Sequence, residues 1–431
     1  IDIRFDAPAA DFKDFIAIMP EAIVQDMDRV NASGKLAVSG TIKGISSEES
    51  IPGFDVQLKT ENATVQYADL PRPIDNIVLD AGLFNSSGKV SGTRLEIKQS
   101  SFAIAQDQFQ LKGTISDIMG DKQVAMEAQT RMDLARLGEA YPLPAEMNLS
   151  GKLNADFRAS FTVKALEAQE YNRIKMDGAI DLRDFVYNNP ELNAPLILKK
   201  LKVKLDNDRT IIQEGNGTVG QSDFQLSGSL QHLAGYALGK QDLQGSLNLR
   251  SDTFLVSDFM GPEEPNVQET TPDSTAALKI PTDLDLEFNT VAGKIVYDDL
   301  ELKDFKGKIR VQNGAIDFDE VTTGFFEGQL ALKGSLNTLT EQPEFAVTLD
   351  MESLQIQKAF EAMELLQVVA PVAGALKGKF SSQVELAGKL TNSYTPELAT
   401  LTGAVLAEIL TADVQSGELP VLTELNSSFD F

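Results

Sequence analysis

Apolar and polar residues alternate with a period of two along most of this chain. From Leu153 through Ala155, Phe157, Ala159 and Phe161 to Val163, every second position is apolar and those between are mostly polar. A strand turns successive side chains to opposite faces, so the pattern predicts one long, half-buried strand. Leu284, Leu286 and Phe288 repeat it, as do Phe345, Val347 and Leu349. Each set puts its apolar side chains on one face of a sheet.

Turn signals separate these runs. Asn313-Gly314 lies between Ile309/Val311 and Ile316/Phe318, which suits a tight hairpin whose two central residues need positive φ. Asn85-Ser86-Ser87-Gly88 and Asp206-Asn207-Asp208 predict further turns. Short connections favour antiparallel meanders, because a parallel crossover needs a dozen or more residues, usually helical. Two segments do switch to helical spacing: Phe12, Phe15, Ile16, Met19, Ile23 and Met27 behind Asp11 as N-cap, and Ile356, Phe360, Met363, Leu366 and Val369. Both read as short helices that cap or pack on the sheet.

The pattern also repeats over a long interval. Three segments each begin on a tyrosine-led strand, at Tyr67, Tyr187 and Tyr297, and each runs on to a Phe/Leu-x-Leu-x-Gly strand at Phe109–Gly113, Phe224–Gly228 and Leu330–Gly334. The tyrosines are 120 and 110 residues apart. A Gly-Lys strand opening recurs at Gly34, Gly151 and Gly378, but the copy expected between the last two is missing. The gap falls on a stretch with Pro262, Pro265, Pro272 and Pro281 among Glu, Thr and Ser, which reads as a flexible insert. The repeats divide the chain into 1–33 (the end of a preceding repeat with an amphipathic helix), 34–147 (repeat 1), 148–260 (repeat 2), 261–283 (the insert), 284–373 (repeat 3 with a closing helix) and 374–431 (the truncated start of another). A repeat of this kind suits a sheet that grows by addition, of about thirty strands spaced about 4.8 Å apart.

Composition narrows the chemistry. The 42% hydrophobic content belongs to a folded chain. A net charge of -26 repels nucleic-acid phosphates, so no nucleic acid is expected as partner. Zero cysteines exclude disulfides, thiolate nucleophiles and Cys-ligated metals. Neither a leader-like opening nor an uninterrupted apolar run of about 18 residues occurs, so any anchor is expected outside these residues. The run Gly215–Gly220 spells G-x-G-x-x-G, but a strand follows it instead of the helix that a pyrophosphate needs. His232 is the only histidine, which excludes triads and two-histidine metal sites. The acids Asp317, Asp319 and Glu320 lack the glycine-containing spacing of a calcium loop. No catalytic residue, cofactor or metal is therefore assigned.

At these repeats the sequence resembles the AsmA-like family of Gram-negative bacteria. The resemblance is carried by DFKDFIAIMPEAIVQDMDRV at Asp11–Val30 leading into GKLAVSGTIKG at Gly34–Gly44, and by YADLPRP at Tyr67–Pro73 followed by Ile74-Asp75-Asn76-Ile77. Leu284–Phe318 adds a succession of Leu-x-Leu, Gly-Lys-Ile-x-Tyr and Leu-x-Asp-Phe-x-Gly. The resemblance implies a mainly β fold, an elongated repeat-built antiparallel sheet bent into a groove (a β-taco-like shape) with a few short packing or capping helices. It further implies a periplasmic, non-enzymatic module that carries phospholipid between inner and outer membranes. Attachment to the inner membrane would come from segments outside this chain, and envelope proteins would be its partners. Phe157, Phe161, Leu284, Leu286 and Phe288 are the expected groove lining. The same faces would serve a structural or adhesive scaffold with a closed dry core, or a carbohydrate-active solenoid if carboxylates paired in a cleft.

Overall fold

The computed structural model describes residues 1–11, 30–47, 50–67, 70–140, 148–188, 194–237, 239, 241–259, 279–340, 342–362, 376–391 and 394–414. The chain is mainly β: an open antiparallel sheet architecture of twenty strands with a few short helices. Its strands run to 10–15 residues, about twice the usual length. With strands this long, the described residues hold twenty where about thirty are expected.

Contacts divide the chain into two units. The first contains β1 (Asp2–Asp11), β2 (Val30–Lys43), β3 (Gly53–Tyr67), β4 (Ile74–Asn85), β5 (Arg94–Ile104), β6 (Asp107–Ser116), β7 (Gln123–Asp133), β8 (Asn148–Thr162), β9 (Lys175–Asn188) and β10 (Leu196–Asp206). Each pairs antiparallel with the next. The residues of β11 (Arg209–Val219) and β12 (Ser222–Gln231) are shared between the units. The second unit contains β13 (Leu243–Leu255), β14 (Leu284–Tyr297), β15 (Leu300–Gln312), β16 (Ala315–Phe325), β17 (Gly328–Asn337), β18 (Glu344–Gln355), β19 (Leu376–Lys389) and β20 (Thr402–Val414).

The predicted turns hold in detail. Asn313 and Gly314 join β15 to β16 with φ of 50° and 72°, the left-handed pair that a two-residue hairpin requires. Asn207 turns the chain between β10 and β11 at φ 56°. Asn85 organises its loop from within: its buried Oδ1 accepts from the amides of Ser87 and Gly88, and its Nδ2 donates to the Lys89 carbonyl. The strand expected to run to Val163 stops one residue earlier. Thr162 Oγ1 accepts the Ala165 amide at 3.1 Å and so caps the short helix Val163–Glu167. Of the two predicted helices, the first lies outside the described residues, and the second is helical over Ile356–Ala362, its described part.

The missing repeat element explains the one parallel pair among the described registers. Copies one and two each comprise six strands, β2–β7 and β8–β13, opened by Gly34 and Gly151. The third begins directly on the strand that ends in Tyr297. Removing one strand from an antiparallel series leaves its two neighbours pointing the same way. β13 and β14 do pair in parallel, from Leu243↔Leu284 to Leu255↔Val296. A parallel pair needs a long connection, and the chain spends residues 256–283 between these two strands; of the predicted insert 261–283, all but 279–283 lies outside the described residues.

Bulges set the curvature. The openings at Gly34, Gly151 and Gly378 carry φ of 115°, 131° and 145°; the first two coincide with register shifts, Ser33/Lys35 and Ser150/Lys152, while Gly378 is paired with Ala412 and the nearest shift falls after Lys379. Positive φ is the reason this position is glycine in all three openings. In the second unit, bulges with Asp304, Glu320 and Ser353 at φ of 53°, 51° and 56° fall on β15, β16 and β18. Each bends and twists its strand. Next to them lies the dense core of this unit, Val321 at 1% exposure, Leu354 at 0%, and Phe305, Phe325, Leu330 and Met351, all buried.

Candidate functional site

The feature of the first unit with chemical capacity is its apolar face. Across the ladders, Leu95, Ile115, Val124 and Phe161 form one cross-strand row, and Leu111, Ala128, Phe157 and Gly178 form another. Between them run Ile97, Gly113, Met126, Ala159 and Met176. Beyond them, Ala155, Ile180 and Val203 continue the face onto β10. Cross-strand neighbours sit about 5 Å apart, so these side chains make one continuous apolar surface over β5–β10.

The surface is only half-covered. Phe157, Phe161, Val124, Met126, Ile115 and Leu111 are all partly exposed, with Val203 and Leu205 buried toward β10. Helices among the described residues are too short to roof it, the longest being the seven-residue Ile356–Ala362 of the other unit. Phe157 owes its position to Gly178: a Cβ there would stand 2.7 Å from the Phe157 Cα, so only glycine lets the aromatic strand approach this closely.

The predicted lining residues fall into two groups. Phe157 and Phe161 lie together on β8 in the first unit. Leu284, Leu286 and Phe288 lie on β14 in the second, where Leu286 faces Val311 and Phe288 faces Leu247 and Ile309. Leu286 is 8% exposed and belongs to packing, while Leu284 and Phe288 are half-buried. Phe318, Val347 and Leu386 extend the second face across β16–β19. Met126, Met176 and Ile180 are face residues that the short alternating runs did not single out.

The opposite face of the first unit is charged and ion-paired. Lys112 meets Glu127 at 2.8 Å, and Arg158 lies 3.9 Å from Glu127 and 3.8 Å from Asp177. The Lys112 ammonium holds the Glu127 carboxyl below its usual range, as Lys152 does for Asp133, Arg183 for Asp181, Lys200 for Glu214 and Lys358 for Glu327. All five carboxylates are therefore easier to protonate in the unfolded chain than in the folded one. Their stabilisation is present above the unfolded carboxylate pKa and is lost as pH falls through the lower folded values. We expect urea midpoints to be flat near neutrality and to drop below about pH 4, with the drop reduced in 0.5 M salt. A midpoint that rises on acidification would contradict this assignment.

The other residues singled out in the sequence lie in ladders and turns. Gly215–Val219 is strand, and the turn at Gly220 leads into β12, so no helix N-terminus follows the glycines. His232 turns the chain after β12 at φ 62°, with Nε2 3.3 Å from Asp208. Asp317 and Asp319 sit opposite Arg310 and Lys308 in the β15–β16 ladder, which accounts for their charge. Tyr297 donates to the Tyr394 carbonyl at 2.9 Å, and burial pushes both phenols above their ordinary value. No described helix is long and apolar enough to cross a membrane. Comparison with family profiles, characterised proteins and solved structures finds no match.

Proposed function

We propose that this chain is a non-enzymatic periplasmic module that holds phospholipid acyl chains against its apolar sheet face and conducts them between inner and outer membranes. The observation that carries the reading is the continuous, half-exposed apolar face of β5–β10, with Phe157 and Phe161 at its centre. Removing acyl chain from water is worth about 0.8 kcal/mol per CH₂, so a partly enclosing surface offsets much of the cost of lifting a tail from a bilayer. Such a surface needs width and greasiness but no catalytic group. The family resemblance supplies the lipid class and the compartment.

A second reading, a scaffold with a dry core, draws on the second unit, where Val321 and Leu354 are fully buried. Native mass spectrometry of detergent-free protein, with analysis of co-purifying lipid, separates the two. Bound phospholipid is the expected result. A lipid-free protein that also fails to take up a fluorescent phospholipid would leave the scaffold.

A further inference from the structure

Two residues from opposite margins of the second unit's sheet are in contact. One ladder row runs through Asp285, Gln312, Ala315, Asn337, Glu344 and Lys389 across β14–β19. Tyr297 stands twelve residues beyond that row, at the other end of β14. The loop that follows Lys389 holds Tyr394, whose carbonyl accepts the Tyr297 phenol at 2.9 Å. On a flat sheet Tyr297 and Lys389 would be roughly 45 Å apart, about 40 Å along the strands and about 24 Å across five strand spacings. Five residues of loop reach at most about 17 Å. The sheet of this unit therefore curls until these two corners meet, and the bulges at Asp304, Glu320 and Ser353 supply the bend.

The contact lies over the apolar side. Tyr297 pairs with Leu300, which packs on the buried cluster of Phe325, Leu330, Met351 and Leu354, and cross-strand neighbours share a face. The loop is built to present the carbonyl. Leu390 bridges to Pro396, the Glu397 amide donates to the Lys389 carbonyl, and the Tyr394 amide donates to the Thr391 carbonyl. Holding Tyr394 there costs strain, because its φ of 61° is left-handed. The strain favours release and the hydrogen bond favours closure, and the two effects are of similar size.

We propose that the Tyr297–Tyr394 hydrogen bond is a releasable clasp across the mouth of the curled sheet β14–β19. Closed, it holds the margins together over the half-buried Phe318, Val347 and Leu386; released, it admits an acyl chain to them. This clasp, which rests on the acyl-chain reading above, adds a control point in the second unit. Lipid on this face binds the released form and so shifts the unit toward it.

The chain has no cysteine, so D299C and T395C introduced into the whole chain give two exposed, exclusive sites for nitroxide labels beside the clasp. Double electron–electron resonance without lipid should read a single narrow distance. Y297F, which removes only the phenol hydroxyl, should populate the released form about fivefold more and add a component longer by about 5 Å or more, with the circular dichroism unchanged. Y187F, the same change on β9 of the first unit, should leave the distance as it was. Phosphatidylcholine vesicles with a trace of fluorescent phospholipid should lengthen the distance across the intact clasp in step with lipid uptake. Uptake without lengthening, or a Y297F distance equal to that of the intact clasp, would make the bond a fixed structural join and overturn the proposal while the carrier reading stands. No uptake by either form would remove the carrier reading and the clasp's role with it.

Discussion

Replacing Phe157 and Phe161 together by threonine should reduce uptake of a fluorescent phospholipid by about 10- to 100-fold and leave the fold in place. Threonine keeps the strand preference of β8 and removes two phenyl rings from the middle of the face. If each ring offers an acyl chain roughly 50 Å² of apolar contact, at about 25 cal/mol per Å² the pair contributes about 2.5 kcal/mol. The cost to the fold is smaller than for a core aromatic, because both rings are half-exposed and leave no sealed cavity. Circular dichroism and a urea midpoint on the same sample separate lost binding from lost folding. If the variant folds and takes up lipid as before, the β5–β10 face is not the carrier. The matched control is Leu286→Val: its side chain is already buried, so lipid uptake should not change.

The residues that made the fold legible were those with a single local reading. Alternation over Leu153–Phe161 gave β8, and Asn313-Gly314 gave its hairpin, because two positive-φ residues between strands have few other uses. The missing repeat element was also visible, as a gap in the Gly-Lys series. Its consequence, the parallel pairing of β13 with β14, was not, since strand direction depends on counting strands that the sequence does not delimit.

The bulges were written in the sequence in a form that strict alternation hides. Leu302 to Phe305, Phe318 to Val321 and Met351 to Leu354 are apolar pairs spaced by three within strands. Each spacing absorbs one extra residue, Asp304, Glu320 or Ser353, so that both apolar side chains stay on one face. Strict period two breaks off at each of these spacings. For the same reason the candidate lining was picked from uninterrupted runs. That choice took in the half-exposed Phe157 and Phe161 together with the buried Leu286, and passed over the bulge-flanking residues that pack the second unit. Whether an alternating face is covered depends on what lies above it, and no local pattern encodes that.

The bulge-flanking core gives the largest expected effect on stability. Leu354 is 0% exposed, packs with Phe325, Leu330 and Met351, and lies over Gly328, where a Cβ would come within 2.8 Å of its methyl group. Leu354→Ala removes three buried carbons at a point where the neighbouring strand backbone is fixed by the Ser353 bulge, whose amide donates to Ser381 Oγ at 3.1 Å. The site cannot collapse by sliding the register, so most of the cavity should remain. The expected loss is about 3–4 kcal/mol, near the upper part of the range for buried leucines. For a unit of this size that lowers the melting temperature by about 10 °C. Calorimetry on the full chain reads it directly. A loss below about 1.5 kcal/mol would mean that the strands around the bulge close over the gap, and that the bend is held by its backbone hydrogen bonds more than by the side chains packed within it.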